Sequence, residues 1–240
     1  MMEFVLKYIA EIVIGVIISI LATIILFWWG KRKSFHPFKY HKAKKHVKEA
    51  GIVTFYYNRR ILQADAGTIG DYVKKAKTEV YYVGCWLSSS LNSLDLSNAI
   101  LEKAQQGIKF HFCVISPNSI LINKYSEFFD ESYNDLISKL NSTLNMLTRI
   151  KEDLPGSLRN NVKIYIHDKI ITASFWAIDP SDKKNALFQL DHKIFKSTRF
   201  NSYGMEIKYS DKSEFASEIK KGYFAVFNEA KEVKEEKEEE

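Results

Sequence analysis

The sequence predicts an α/β domain, a mixed sheet flanked by helices, preceded by one transmembrane helix. Three observations carry that prediction. From Ile12 to Trp29 the chain runs IVIGVIISILATIILFWW without a charge. Between Gly51 and Pro155, short apolar runs alternate with segments of helical spacing. After Asn161, strand-like runs follow one another before a last helical segment. Alternation followed by strand clustering is the pattern of helices packed on a sheet that mixes parallel and antiparallel pairs.

The first segment, 5–30, has the length of a membrane span. A helix rises ~1.5 Å per residue, so the apolar stretch just crosses a ~30 Å hydrocarbon layer. Trp28 and Trp29 close it, where indole rings favour the lipid–water boundary. The basic juxtamembrane segment, 31–50, carries Lys31, Arg32, Lys33, Lys39, Lys42, Lys44, Lys45 and Lys48, with no acid before Glu49. Such a flank stays inside, which places the C-terminal domain in the cytoplasm of a single-pass cell-membrane protein. The same lysines either do no more than set orientation or lie on anionic lipid as a basic helix between Pro37 and Glu49. In the second case each adds roughly 1 kcal/mol close to the surface. His36, His41 and His46 recur every five residues, so successive rings turn by ~140° around a helix and cannot share a metal ion.

The folded domain, 51–230, has the length of one domain with a real core. GIVTFYY (51–57) reads as a first strand ending at Arg59 and Arg60. Thr68 and Asp71 form an N-cap signature for a short helix. EVYYVGCW (79–86) is a continuous apolar run, as in a strand covered on both faces. A polar loop, SSSLNS, leads to a helix carrying Ala99, Ile100, Leu101 and Ala104, which Gly107 stops. IKFHFCVI (108–115) is the next buried strand. Phe129, Tyr133, Leu136, Leu140, Leu144 and Leu147 then keep helical spacing up to Pro155 and Gly156. VKIYIHDK, IITASFWAI, NALFQL and SYGMEIKY supply the later strands, and a helix from about Asp211 packs Phe215, Ile219, Tyr223 and Val226. Residues 231–240, KEVKEEKEEE, form a charged tail. Cys85 and Cys113 lie in strand runs and read as buried thiols. Two cysteines do not make a zinc site of familiar spacing, and no cofactor or metal is expected.

The order of these elements resembles one single-motif half of the phospholipase D superfamily. The resemblance rests on the strand that ends in VGCWLSSS, on QQGIKFHFCVISP, on the strand into His167-Asp168-Lys169, and on GMEIKYSD before the final helix. It implies a phospholipase D-like fold in which His167 is the nucleophile on phosphorus and Lys169 supports the phosphate oxygens. It implies also that Glu206 stands at the place of a family glutamate, and that two halves pair as a homodimer. The family motif continues to an aspartate, where this chain has Ser174. Asp179 does not replace it, because ten residues of strand from Lys169 span ~33 Å.

The chemistry accounts for the His-x-Lys spacing. Residues two apart on a strand share a face, so an imidazole and an ammonium meet one phosphate. Further candidate ligand-binding residues stand at strand ends, where α/β sheets bind ligands: Arg59 and Arg60, Ser88, Ser116 and Asn118. His192-Lys193 reads as a solvated loop pair, and Lys109, His111 and Cys113 as one strand face. Two readings follow. In one the domain is a degenerate module that binds a phosphate-containing ligand (nucleotide, nucleic acid or anionic lipid) as sensor or effector. In the other it is a metal-independent phosphodiesterase, a nuclease or phospholipase, using His167 and Lys169 in a dimer.

Overall fold

The structure, a computed structural model, describes residues 37–58, 61–62, 67–197 and 202–233. The chain divides into two compact units, Met1–His46 and Val47–Glu240. Of the first, the described part is the beginning of helix α1 (Pro37–Glu49), with Lys42, Lys44, Lys45 and Lys48 exposed in α1.

The larger unit is built on one eight-stranded sheet. Its strands are β1 (Ile52–Tyr56), β2 (Glu79–Val83), β3 (Lys109–Ile115), β4 (Val162–His167), β5 (Ala173–Ile178), β6 (Leu187–His192), β7 (Tyr203–Lys208) and β8 (Lys231–Glu232). Their spatial order is β1-β7-β6-β5-β2-β3-β4-β8. β2, β3 and β4 are parallel neighbours, and the other pairs are antiparallel. The helices are α2 (Ile69–Val73), α3 (Ser88–Leu91), α4 (Leu94–Gln105), α5 (Ile122–Phe129), α6 (Tyr133–Glu152) and α7 (Glu214–Asn228). Parallel strands need crossovers, which α3 to α6 supply; the antiparallel strands after Asn161 need only turns.

Each face of the sheet carries its own apolar layer. On one, Val80, Tyr82, Phe110, Phe112 and Trp176 pack against Ala99, Ile100 and Ala104 of α4 and Leu147 of α6. On the other, Phe175, Phe188, Leu190 and Ile207 pack against Ala216, Ile219 and Tyr223 of α7. Rows of directly paired residues share a face, so alternation along each strand divides the two layers.

Helix ends follow their sequence signals. Thr68 and Asp71 form a full capping box. Ser132 and Ser213 cap α6 and α7 by accepting from the third residue of each helix. The single long helix expected from Phe129 to Leu147 is two, because Asp130 turns left-handed at φ 56° and ends α5. SSSLNS is a helical turn and not a loop. The buried Thr143 hydroxyl accepts from the Leu87 and Ser88 amides at 3.0 and 2.9 Å, which satisfies the donors that open α3. Lys231 and Glu232, expected in the tail, pair with β4 at the sheet edge.

Asp179 fastens the end of β2 and β5 remote from the strand ends discussed below. Its carboxylate accepts from the Lys77, Thr78 and Glu79 amides and the Thr78 hydroxyl at 2.7–3.2 Å. A left-handed φ of 46° lets it close the turn.

The expected class is corrected in one respect. No helix among the described residues is long and apolar enough to cross a membrane. The longest of them, α6, has 20 residues but carries Asp135, Lys139, Arg149, Lys151 and Glu152, and buries only one stripe. The span expected at 5–30 lies outside the described residues. The fold class of the described residues is therefore a mixed α/β sheet flanked by helices, with no transmembrane helix among them.

Candidate functional site

A cavity of about 370 Å³ lies over the C-terminal end of β2, on the sheet face that carries α4 and α6. That volume falls in the ~300–1,000 Å³ range of small-molecule sites. Its floor is a row of paired strand residues: Tyr82 on β2, Trp176 on β5 and Gln189 on β6. One step along, Ser174 pairs with Asp191, and both line the cavity. The walls come from Trp86 and Leu87 after β2, Ser89 and Ser90 of α3, and Phe129, Asp130 and Glu131 where α5 gives way to α6. Lys139, Lys193 and Lys196 line it too, beside Asp130, Glu131 and Asp191.

Packing fixes the aromatic parts. Tyr82 and Trp176 sit with ring centroids 4.7 Å apart, and Trp86 meets Phe129 edge-on at 4.7 Å. Gly84 makes room for this arrangement: the Tyr82 hydroxyl occupies the space that a Cβ there would fill. That hydroxyl donates to the Trp86 carbonyl at 3.1 Å and lies 3.4 Å from Ser174 Oγ.

Two of these lysines are held by carboxylates. Lys139 Nζ is 2.5 Å from Glu131 and 5.6 Å from the Trp86 ring centroid. Lys193 Nζ is 2.6 Å from Asp191, and both side chains are largely buried. Lys193 is thus no solvated loop residue; His192 ends β6 half-buried and stacks on Tyr203 at 5.0 Å. The Lys196 amide, at a left-handed φ of 53°, donates to the Phe128 carbonyl and ties the loop after β6 to α5. Burial pushes the Cys85 thiol up to about 12, so this cavity residue is an unreactive thiol.

Beyond Gln189 the same row continues to Glu206 on β7. Glu206 Oε2 accepts from the Tyr56 hydroxyl at 3.5 Å. Glu206 Oε1, Gln189 Oε1 and the Tyr72 hydroxyl are buried without a hydrogen-bond partner among the described residues. Burial, with the Glu206 charge in support, raises the Tyr72 phenol well above its ordinary range.

His167 and Lys169 stand elsewhere. Register places His167 on the face of Tyr165, Cys113 and Val83, opposite to that of Tyr82, Trp176 and Ser174. β4 stops at His167, so the two-residue period that would align Lys169 with it no longer applies. The Lys169 amide instead donates to His167 Nδ1 at 3.1 Å. That fixes the tautomer with the proton on Nε2, which donates to the Gly84 carbonyl at 3.3 Å. Both ring nitrogens are engaged. Burial lowers the pKa of the imidazole, against the pull of the Gly84 carbonyl. Lys169 Nζ turns outward to Glu229 at 2.5 Å, while the Tyr125 hydroxyl donates to the Lys169 carbonyl and accepts from the Ile171 amide. Glu206 lies five strands from His167, about 24 Å at ~4.8 Å per strand.

The remaining candidates scatter. Ser88 is buried at the start of α3, beside the cavity lining. Ser116 Oγ accepts from the Asn118 amide at 3.3 Å in the turn after β3, and Asn118 is exposed. Arg59 and Arg60 lie outside the described residues. His111 stacks on Tyr81 at 4.4 Å under α7. Of the candidates named from sequence, Ser174 lines the cavity, and Glu206 pairs with Gln189 outside that lining.

Sequence reasoning passed over Trp86, Trp176, Gln189, Lys139 and Lys193. A signal was present in NALFQLDHK: a glutamine and an aspartate two apart in an apolar strand need polar surroundings on one face.

No family model matches the sequence, and none of the curated proteins matches it. Among solved structures the chain is similar to Nuc from Salmonella typhimurium, a phospholipase D family member. The TM-score is 0.41 at 7% identity, covering 70% of this chain and 89% of that one.

Proposed function

We propose that the domain binds a small phosphate-bearing ligand, a nucleotide, in the cavity over β2, and does not turn it over through His167. One observation carries this reading: aromatic residues and lysines line one cavity of about 370 Å³. Aromatic faces take a planar base, and lysines take phosphate oxygens. A volume of about 370 Å³ fits a mononucleotide better than a nucleic-acid strand or a lipid surface.

The phosphodiesterase alternative requires a ring nitrogen free to attack phosphorus. His167 offers neither, since Nδ1 accepts from Lys169 and Nε2 faces the Gly84 carbonyl. The stand-in at the family's aspartate position, Ser174, belongs to the cavity and not to this histidine.

Titration with nucleoside 5′-monophosphates, followed by tryptophan fluorescence, tests the reading through Trp86 and Trp176. Saturable quenching without turnover of bis(p-nitrophenyl) phosphate is expected. Turnover that disappears in His167→Ala would establish the enzyme instead.

A further inference from the structure

We infer that helix α1, independently of the cavity, is a docking surface for an anionic lipid bilayer. Within Pro37–Glu49 the helix carries Lys39, Lys42, Lys44, Lys45 and Lys48, and Glu49 is its one acid. Every residue from Lys42 to Glu49 is exposed, Val47 included at 46%. No apolar stripe is buried over those residues, and burial of such a stripe is what stabilises most helices in proteins. A helix of 13 residues without it is marginal in water. Its charges work against it as well. Lys44 and Lys48 stand four apart, and Lys42, Lys45 and Lys48 three apart, so like charges meet on the helix surface. A negatively charged surface removes that repulsion and gives a contact to a stretch that buries nothing.

Nucleic acid would neutralise the same lysines, but the sequence before α1 favours lipid. Ile12 to Trp29 is an uncharged apolar run, and such side chains leave water for hydrocarbon. Pro37 follows Trp29 by eight residues, a reach of at most about 29 Å. A bilayer that takes up the run therefore keeps α1 near its headgroups. Close to acidic lipid, each lysine strengthens attachment about fivefold.

Energy transfer on the whole protein provides the test. Val47→Cys carries the donor dye, because the natural thiols of Cys85 and Cys113 are buried and pushed up to about 12. The acceptor is a tagged lipid in vesicles of phosphatidylcholine, alone or mixed with phosphatidylserine. Transfer is expected to be higher with the acidic vesicles. The gain should vanish at ~1 M salt, where the Debye length is about 3 Å. It should vanish also when Lys42, Lys44, Lys45 and Lys48 are all changed to Gln, substitutions at exposed positions that leave the core untouched. Equal transfer with both vesicles, or a gain that survives salt or the four substitutions, overturns the inference. Displacement of α1 from acidic vesicles by short duplex DNA at equal phosphate concentration overturns it too, and makes nucleic acid the occupant.

Discussion

Two corners of this sheet sit at strand ends, and they differ in how much hydrogen bonding they leave undone. At the end of β4, every polar group that the His-x-Lys pattern singles out has a partner within the chain: His167 with Gly84 and Lys169, and Lys169 with Glu229. Over β2, β5 and β6, the buried Oε1 of Gln189 has none among the described residues, and aromatic rings line open space. A satisfied corner stabilises the fold, whereas an unsatisfied one is paid for in stability and suits a ligand. The motif and the cavity are therefore different places.

The comparison is broken most forcefully by removing the cavity floor. Trp176 is buried against Tyr82 and Phe112. Trp176→Ala is expected to cost about 3–5 kcal/mol in chemical denaturation. A cost below ~1 kcal/mol would mean that the floor is not a packed part of the core.

His167→Ala comes next. It leaves the Gly84 carbonyl and the Lys169 amide without their partner, at about 1–3 kcal/mol. Nucleotide affinity of the folded protein should be unchanged. An unaltered stability with lost binding would move His167 into the site.

Acid sharpens the same contrast. His167 has a folded pKa below the ordinary ~6.5 of an unfolded histidine. The unfolded chain then binds more protons, so the stabilising contribution is complete above pH ~6.5 and declines as pH falls towards the folded pKa. The loss per histidine is at most about 1.4 kcal/mol per pH unit. Melting curves from pH 7.5 to 5 should show a shallower decline for His167→Gln than for the natural protein; equal slopes would mean that the buried imidazole is protonated in the fold.

Lys169 carries the smallest effect. Its pair with Glu229 is about half exposed on both sides, so Lys169→Ala should change stability by ~0–1 kcal/mol. A loss above 2 kcal/mol would give this corner an ionic role that its exposure does not support.

Much of the fold was legible because burial imposes periodicity. EVYYVGCW, IKFHFCVI and VKIYIHDK are strands within a few residues of where their apolar runs lie, and Thr68, Asp71 and Gly107 mark helix ends. SSSLNS was not legible as a helix, since what supports it is Thr143, some 55 residues away. The site was legible least. Ser174 and Glu206 stood out by resemblance, yet their neighbours Trp176 and Gln189 looked like ordinary strand core. What sets them apart is cross-strand register, which no local pattern encodes. His167 and Lys169 looked like a site because a two-residue period was carried one turn past the end of β4.

Calorimetric titration with GMP of Lys139→Gln and Lys169→Gln beside the natural protein tests the central claim most directly. Lys139 lies in the cavity wall by Trp86, and Lys169 points outward to Glu229. A charge-assisted bond to phosphate is worth about 1.5–3 kcal/mol, so Lys139→Gln should weaken binding by roughly tenfold or more. Lys169→Gln should bind as the natural protein does. The reverse pattern, with binding lost in Lys169→Gln and kept in Lys139→Gln, would contradict the account and return the site to the end of β4.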